Sequence, residues 1–187
     1  LDIVLHHLNL PTTIVSMSNL ILGLDPGSRR TGFGVISVTG GHTRHIDHGV
    51  IELKESWPLP QRLKVLSEEL DVVFGRHKVG KTVVEKIFFG KNADSAFKLG
   101  HARGVCMLAA AKHGSEVHEY AARFVKKCVT GSGAASKDQV QLVIGQVLTL
   151  KAGAYSFDAS DALALAITHA RESQNRLLIQ RAMERSL

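Results

Sequence analysis

Four carboxylates stand where carboxylates seldom stand. Asp25 closes the apolar run NLILGLD, immediately before the turn PGSRRTG. Glu85 lies inside KTVVEKI, flanked by Val83, Val84 and Ile87. Asp158 and Asp161 sit at i and i+3 in DASDALALA, so both project from one face of a helix start. An acid set into an apolar strand costs several kcal/mol unless it is paired or bound to a cation. Four together would repel one another and raise each other's pKa values. A hard divalent cation removes that penalty, and oxygen-only ligands suit Mg²⁺ or Mn²⁺ rather than zinc. Simpler roles stand beside this one: Asp158 as a helix N-cap, Asp25 as a strand-end Asx turn. Glu85 has no local group to satisfy it.

The elements that would position these acids follow from periodicity. Residues 19–25 read as a buried strand, 33–38 as a second after the Gly-rich turn, and 46–53 as a third, giving a meander. A helix enters near Pro58 and Pro60, with Leu59, Leu63, Leu66, Leu70, Val73 and Phe74 along one face and Gly80 as its stop. Residues 81–87 form a short β-branched strand. A helix capped by Asn92 or Asp94 runs to about Lys112, and a fifth strand spans 116–120. Helices over about 121–129 and 137–150 flank the GSGAAS segment, and a last one starts near Asp158 and passes His169. This order predicts an α/β fold with a five-stranded mixed sheet, an antiparallel meander on one side and parallel strands on the other, and helices on both faces.

The chain has 187 residues, 44% apolar and 21% charged, with a formal net charge of +6, which suits one well-buried domain with a polyanionic partner. Cys106 and Cys128 have no metal-binding spacing and read as buried reduced thiols, fitting a reducing cytoplasm. The longest apolar run, 105–111, is too short to span a membrane, so no membrane partner is expected. Residues 1–19 do not read as a signal peptide and are expected to be a leader or tag-like extension, with 20–173 expected to be the main folded domain and 174–187 a helical tail.

Four blocks in register carry a resemblance: ILGLDPGSRRTGFGVI, VVEKIFFGKNADSAFKLGHARG, EYAARFVKKCVTGSGAASKDQV and DASDALALAITHA. Their order and spacing, over about residues 20–173, resemble the RuvC family of crossover junction endodeoxyribonucleases. The resemblance implies a ribonuclease-H-like fold and a homodimer that resolves four-way (Holliday) junction DNA in recombination and repair. It implies nicking of two strands of like polarity, with a 5′ phosphate and a 3′ hydroxyl left at each nick. It also implies two Mg²⁺ ions per site clamping the scissile phosphate, with Mn²⁺ plausible, and association with the RuvA and RuvB branch-migration proteins. The family's catalytic, metal-binding acids fall on Asp25, Glu85, Asp158 and Asp161, its important lysines on Lys126 and Lys137, and its stacking phenylalanine on Phe88.

Around these blocks Arg29, Arg30 and Lys91 are further candidates for phosphate contact. Lys86, Lys98, Arg103 and Lys127 lie nearby, and a solvated surface is the simpler reading for Lys98 and Lys127. Lys86, beside Glu85, should point to the opposite face of its strand. Phe88 and Phe89 follow the Glu85 strand and could stack on an unpaired base or belong to the core, and His169 reads as a structural or surface histidine. Ala96, Gly100 and Gly104 make a small-residue stripe that is either a dimer face or the face packed on the sheet. Two other functions stand as alternatives. An RNA-processing nuclease of the YqgF type shares the first strand but not the VEKIFFGKNADSAFKLGHARG block. A junction-binding module that no longer cleaves would have no need of four acids.

Overall fold

The computed structural model describes residues 19–86, 93–151 and 153–185. Phe88, Phe89, Lys91 and residues 1–18 lie outside the described residues. The strands are β1 (Leu20–Asp25), β2 (Arg30–Thr39), β3 (His42–Glu52), β4 (Lys81–Lys86) and β5 (Glu116–Ala121). They form one sheet in the order β3-β2-β1-β4-β5. The pairs β1–β2 and β2–β3 are antiparallel; β1–β4 and β4–β5 are parallel. The helices are α1 (Leu59–Arg76), α2 (Ala93–Lys112), α3 (Ala122–Thr130), α4 (Lys137–Leu148) and α5 (Phe157–Glu184). The mixed sheet with helices on both faces is as the sequence predicts.

Alternation along the central strands divides the core in two. Leu22, Leu24 and Val84 pack with α1 and α2 residues such as Leu66, Leu70 and Cys106. Ile21 and Val83 pack with Val125, Ile144 and Leu163 of α3, α4 and α5. A strand buried on both faces reads as an apolar run, which β1 shows along LILGL and β4 more briefly at Val83 and Val84.

Three glycines bring α5 into direct contact with the sheet. A Cβ on Gly23 would lie 1.9 Å from the Ala162 carbonyl oxygen, and one on Gly32 would lie 2.0 Å from that of Asp158. At Gly34 it would meet Leu163 at 2.6 Å. The alanines of α5 complete this close approach: Ala159, Ala162 and Ala166 are buried.

The structure departs from the sequence reading at α1 and at Cys128. Helix α1 ends at Arg76, four residues before Gly80. His77 is already extended there, and Asp47 of β3 holds both Arg76 (3.1 Å) and His77 (2.8 Å). That ion-paired anchor stops the helix before the glycine is reached. Cys128 is only half-buried, whereas Cys106 is buried and burial pushes its thiol up to about 12.

Candidate active site

Strand parity places the first two acids. Ile21, Gly23 and Asp25 share one face of β1, and Val83 and Glu85 share the same face of β4, toward α5. The parallel register pairs Leu24 with Val84, so Asp25 and Glu85 emerge side by side at the carboxyl ends of adjacent strands. Lys86 is exposed and takes the opposite parity.

The helices supply the rest. Ser156 caps α5, accepting from Ala159 N at 3.2 Å, so Asp158 is not the cap and sits in the first turn. There its charge complements the helix dipole. Because Gly32 pairs with Asp25 and contacts the Asp158 backbone, the start of α5 is fixed against the end of β1. Ser136 and Gln139 form a capping box that starts α4 at Lys137. A lysine there opposes the helix dipole, yet its ammonium bonds Asp161 at 3.1 Å. Lys126 of α3 donates to the Ala135 carbonyl at 2.8 Å, tying the α3–α4 connection to the site.

These residues meet at a cavity of about 290 Å³ lined by Asp25, Glu85, Lys126, Lys137 and Asp161, with Val125 and Leu165 among its apolar walls. Asp158 lies outside that lining but within electrostatic reach of Asp25 and Lys137. Burial, then the charges of Glu85 and Asp161, lift the Asp25 carboxyl to about 8. Burial and Asp161 also raise Glu85, although a side-chain hydrogen bond with Asp25 acts the other way. Lys137 is raised by its bond to Asp161. Such an array is the signature of a site that stores excess negative charge.

Whether it fits a cation is decided by its donors. The acids offer only oxygen, in a partly buried setting, which matches a hard divalent ion. Among the described residues, no three Asp, Glu, His or Cys side chains are drawn up as a finished coordination group. Asp161 is turned onto Lys137, and Glu85 onto Asp25. The donor chemistry fits a hard cation, and the Lys137 ammonium offsets part of the negative charge through Asp161.

Other candidates lie elsewhere. Arg29 and Arg30 are exposed and paired with Glu55 (2.5 Å) and Glu52 (3.2 Å). His169 is buried: Tyr120 Oη lies 3.1 Å from its Nδ1 and Ser173 Oγ 3.2 Å from its Nε2, and it stacks on His118. Burial and His118 hold its imidazole down at about 4, so it is a neutral packing residue. Of the small-residue stripe, Gly100 and Gly104 are exposed beside Phe97 and Leu108, and a Cβ at either glycine meets nothing within 4 Å. That stripe does not pack on the sheet, which is the role of Ala102, Cys106, Ala109 and Ala110. The sequence reading missed the glycines that seat α5; the alternation of Gly32 and Gly34 opposite an alanine-rich helix was the available signal.

The profile of the family described as "Crossover junction endodeoxyribonuclease RuvC" matches residues 21–169. The chain belongs to the RuvC family. A RuvC relative from Bdellovibrio bacteriovorus is 53% identical over 89% of this chain and 99% of its own length. One from Chromohalobacter salexigens is 44% identical over 86% of each. Thermus thermophilus RuvC, solved in complex with Holliday junction substrate, superposes with a TM-score of 0.75 at 32% identity, covering 81% of this chain and 92% of that one. The yeast mitochondrial Holliday junction resolvase shares the fold, with a TM-score of 0.67 at 13% identity over 94% of this chain and 89% of its own. The ribonuclease-H-like fold expected from the sequence is therefore borne out, and the YqgF-type alternative is set aside by the RuvC match.

Proposed function

We propose that this RuvC chain is a structure-selective, metal-dependent endonuclease that resolves four-way DNA junctions in recombination and repair. The observation that carries the reading is the convergence of Asp25, Glu85 and Asp161 with Lys126 and Lys137 on one cavity at the carboxyl end of the sheet. Asp25, Glu85, Asp158 and Asp161 would hold the divalent cation, Mg²⁺ or Mn²⁺ and two ions per site. When bound, the metal activates water and offsets the charge that develops on the phosphate, leaving 5′-phosphate and 3′-hydroxyl ends.

The chain's own residues do the rest. Asp161 would hold the cation in place of its ion pair with Lys137, and the Lys137 ammonium would then be available to a scissile phosphate. Lys126, on the same wall, adds a second cation for the DNA backbone. Arg29 and Arg30, exposed outside the cavity, would exchange their glutamate partners for more distant phosphates, and Lys91 would serve likewise. Phe88 would stack on a base at the crossover. Val125 and Leu165 restrict water around the acids.

A four-way junction is close to two-fold symmetric, so a homodimer would offer two identical sites to strands of like polarity. The exposed α2 face supports that assembly: Phe97 is 71% and Leu108 61% exposed, around glycines that admit a close partner backbone. RuvA and RuvB are the proposed partners on cytoplasmic DNA, and among the described residues no helix is long and apolar enough to cross a membrane. Cleavage of a synthetic four-way junction with and without Mg²⁺ tests the reading, with Glu85→Gln as control. The variant should bind the junction and leave it intact, because binding rests on phosphates and shape while chemistry rests on the metal. Near-full cleavage by Glu85→Gln would refute the assignment.

A further inference from the structure

We infer that Arg103 is a positioning residue for cleavage, its guanidinium clamping the end of β4 so that the Glu85 carboxylate is presented correctly to the cavity. The inference rests on the reading of Glu85 as a metal ligand.

Arg103 belongs to α2, on the face of the sheet opposite the acids. Its Nε donates to the Glu85 backbone carbonyl at 3.2 Å, and its Nη2 makes an ion pair with Glu119 of β5. Glu119 is the register partner of Val84, so one planar group ties α2 to two neighbouring strands beside the Glu85 position. Among the described residues β1 pairs with β4 only as far as Val84, so Glu85 and Lys86 are held by the β5 ladder alone. A fork with donors in fixed directions suits this task, whereas a lysine ammonium is a point charge that cannot reproduce the two directed bonds.

The same geometry argues against a direct role in DNA contact. The Arg103 side chain is 22% exposed, against 66% for Arg29 and 61% for Arg30. Its effect on the reaction passes through the backbone of Glu85.

The test uses full-length Arg103→Gln and Arg103→Lys beside wild type. Groups that orient metal ligands from behind typically change metal affinity or activity by about 10–100-fold when removed. Arg103→Gln should therefore lower kcat on a four-way junction about tenfold and weaken Mn²⁺ binding to the DNA-free protein by a similar factor. Free Mn²⁺ is read by electron paramagnetic resonance. Junction Kd in EDTA should stay within about threefold of wild type, since phosphate contacts are untouched. Arg103→Lys should fall between the two, and it carries the same measurement if Arg103→Gln does not fold.

Unchanged Mn²⁺ affinity with unchanged kcat overturns the inference. So does a tenfold loss of junction binding with normal Mn²⁺ affinity, which would make Arg103 a phosphate contact. Glu85→Gln separates the two levels of the argument. If that variant still cleaves, the reading of Glu85 fails; if it is inactive while Arg103→Gln behaves as wild type, only the positioning role fails.

Discussion

Asp25→Asn isolates the electrostatic cost of assembling the acids. The Asp25 carboxyl is raised from 3.8 to about 8, first by burial, then by the charges of Glu85, Asp161 and Asp158 against the opposing pull of Lys137. The native state therefore binds this proton more tightly than the unfolded chain does. Stability contributed by the group is fully present below about pH 4 and is lost as pH rises to about 8. At about 1.4 kcal/mol per pKa unit, and with the charge shared with Glu85, the loss comes to roughly 2–5 kcal/mol. Urea unfolding in EDTA at pH 5 and pH 9 measures it. Asp25→Asn, which has no proton to lose, should gain on wild type by that amount between the two conditions, and it should be inactive. Millimolar Mg²⁺ should raise wild-type stability at neutral pH while the variant gains less, because the cation replaces a proton the variant lacks. A difference between variant and wild type that stays constant from pH 5 to pH 9 would show that the acids do not strain one another, and the argument for a cation site from charge would fall.

Three further outcomes follow from the packing. Gly32→Ala places a methyl 2.0 Å from the Asp158 carbonyl oxygen, so the start of α5 must shift by about 1 Å or more. Overpacking of this kind costs about 1–3 kcal/mol, and misplacement on that scale lowers turnover about a hundredfold; a near-wild-type kcat would refute the seating of α5 on Gly32. Gly104→Leu adds bulk where a Cβ meets nothing, so thermal stability of the subunit should hold while sedimentation shows monomer; a persistent dimer would remove α2 from the interface. Phe88→Ala should cut intact junctions at least tenfold more slowly, since stacking is worth about 1–3 kcal/mol per base. A junction with unpaired bases at its centre should partly rescue it, and absence of rescue would leave Phe88 a packing residue.

The sheet was legible because its strands carry their environment in their side chains. An apolar run marks β1 as a buried strand and β-branched residues mark β4, and Glu85 stands out because an acid set among them has no local partner. The extent of the meander was less legible. β2 and β3 run to 10 and 11 residues, longer than the apolar stretches within them, because HTRH pairs along the sheet edge where polar side chains face water. Edge pairing depends on backbone hydrogen bonds and leaves little hydrophobic trace. The end of α1 was misplaced for a related reason, since Asp47 acts on Arg76 and His77 from a strand some thirty residues away.

The site divides along the same line. Residue type and strand parity suffice to bring Asp25 and Glu85 together, because register does the work once β1 and β4 are adjacent. Asp158 and Asp161 reach them through a backbone contact that no side chain announces: glycines at 23, 32 and 34 let α5 lie against the sheet. Had any of these carried a Cβ, the helix would stand off and its acids would face solvent separately. Lys137 is placed by yet another device, a capping box that starts α4 opposite Asp161. The acids were thus visible as chemistry in the sequence, while their convergence belongs to small residues and helix caps whose only function is distance.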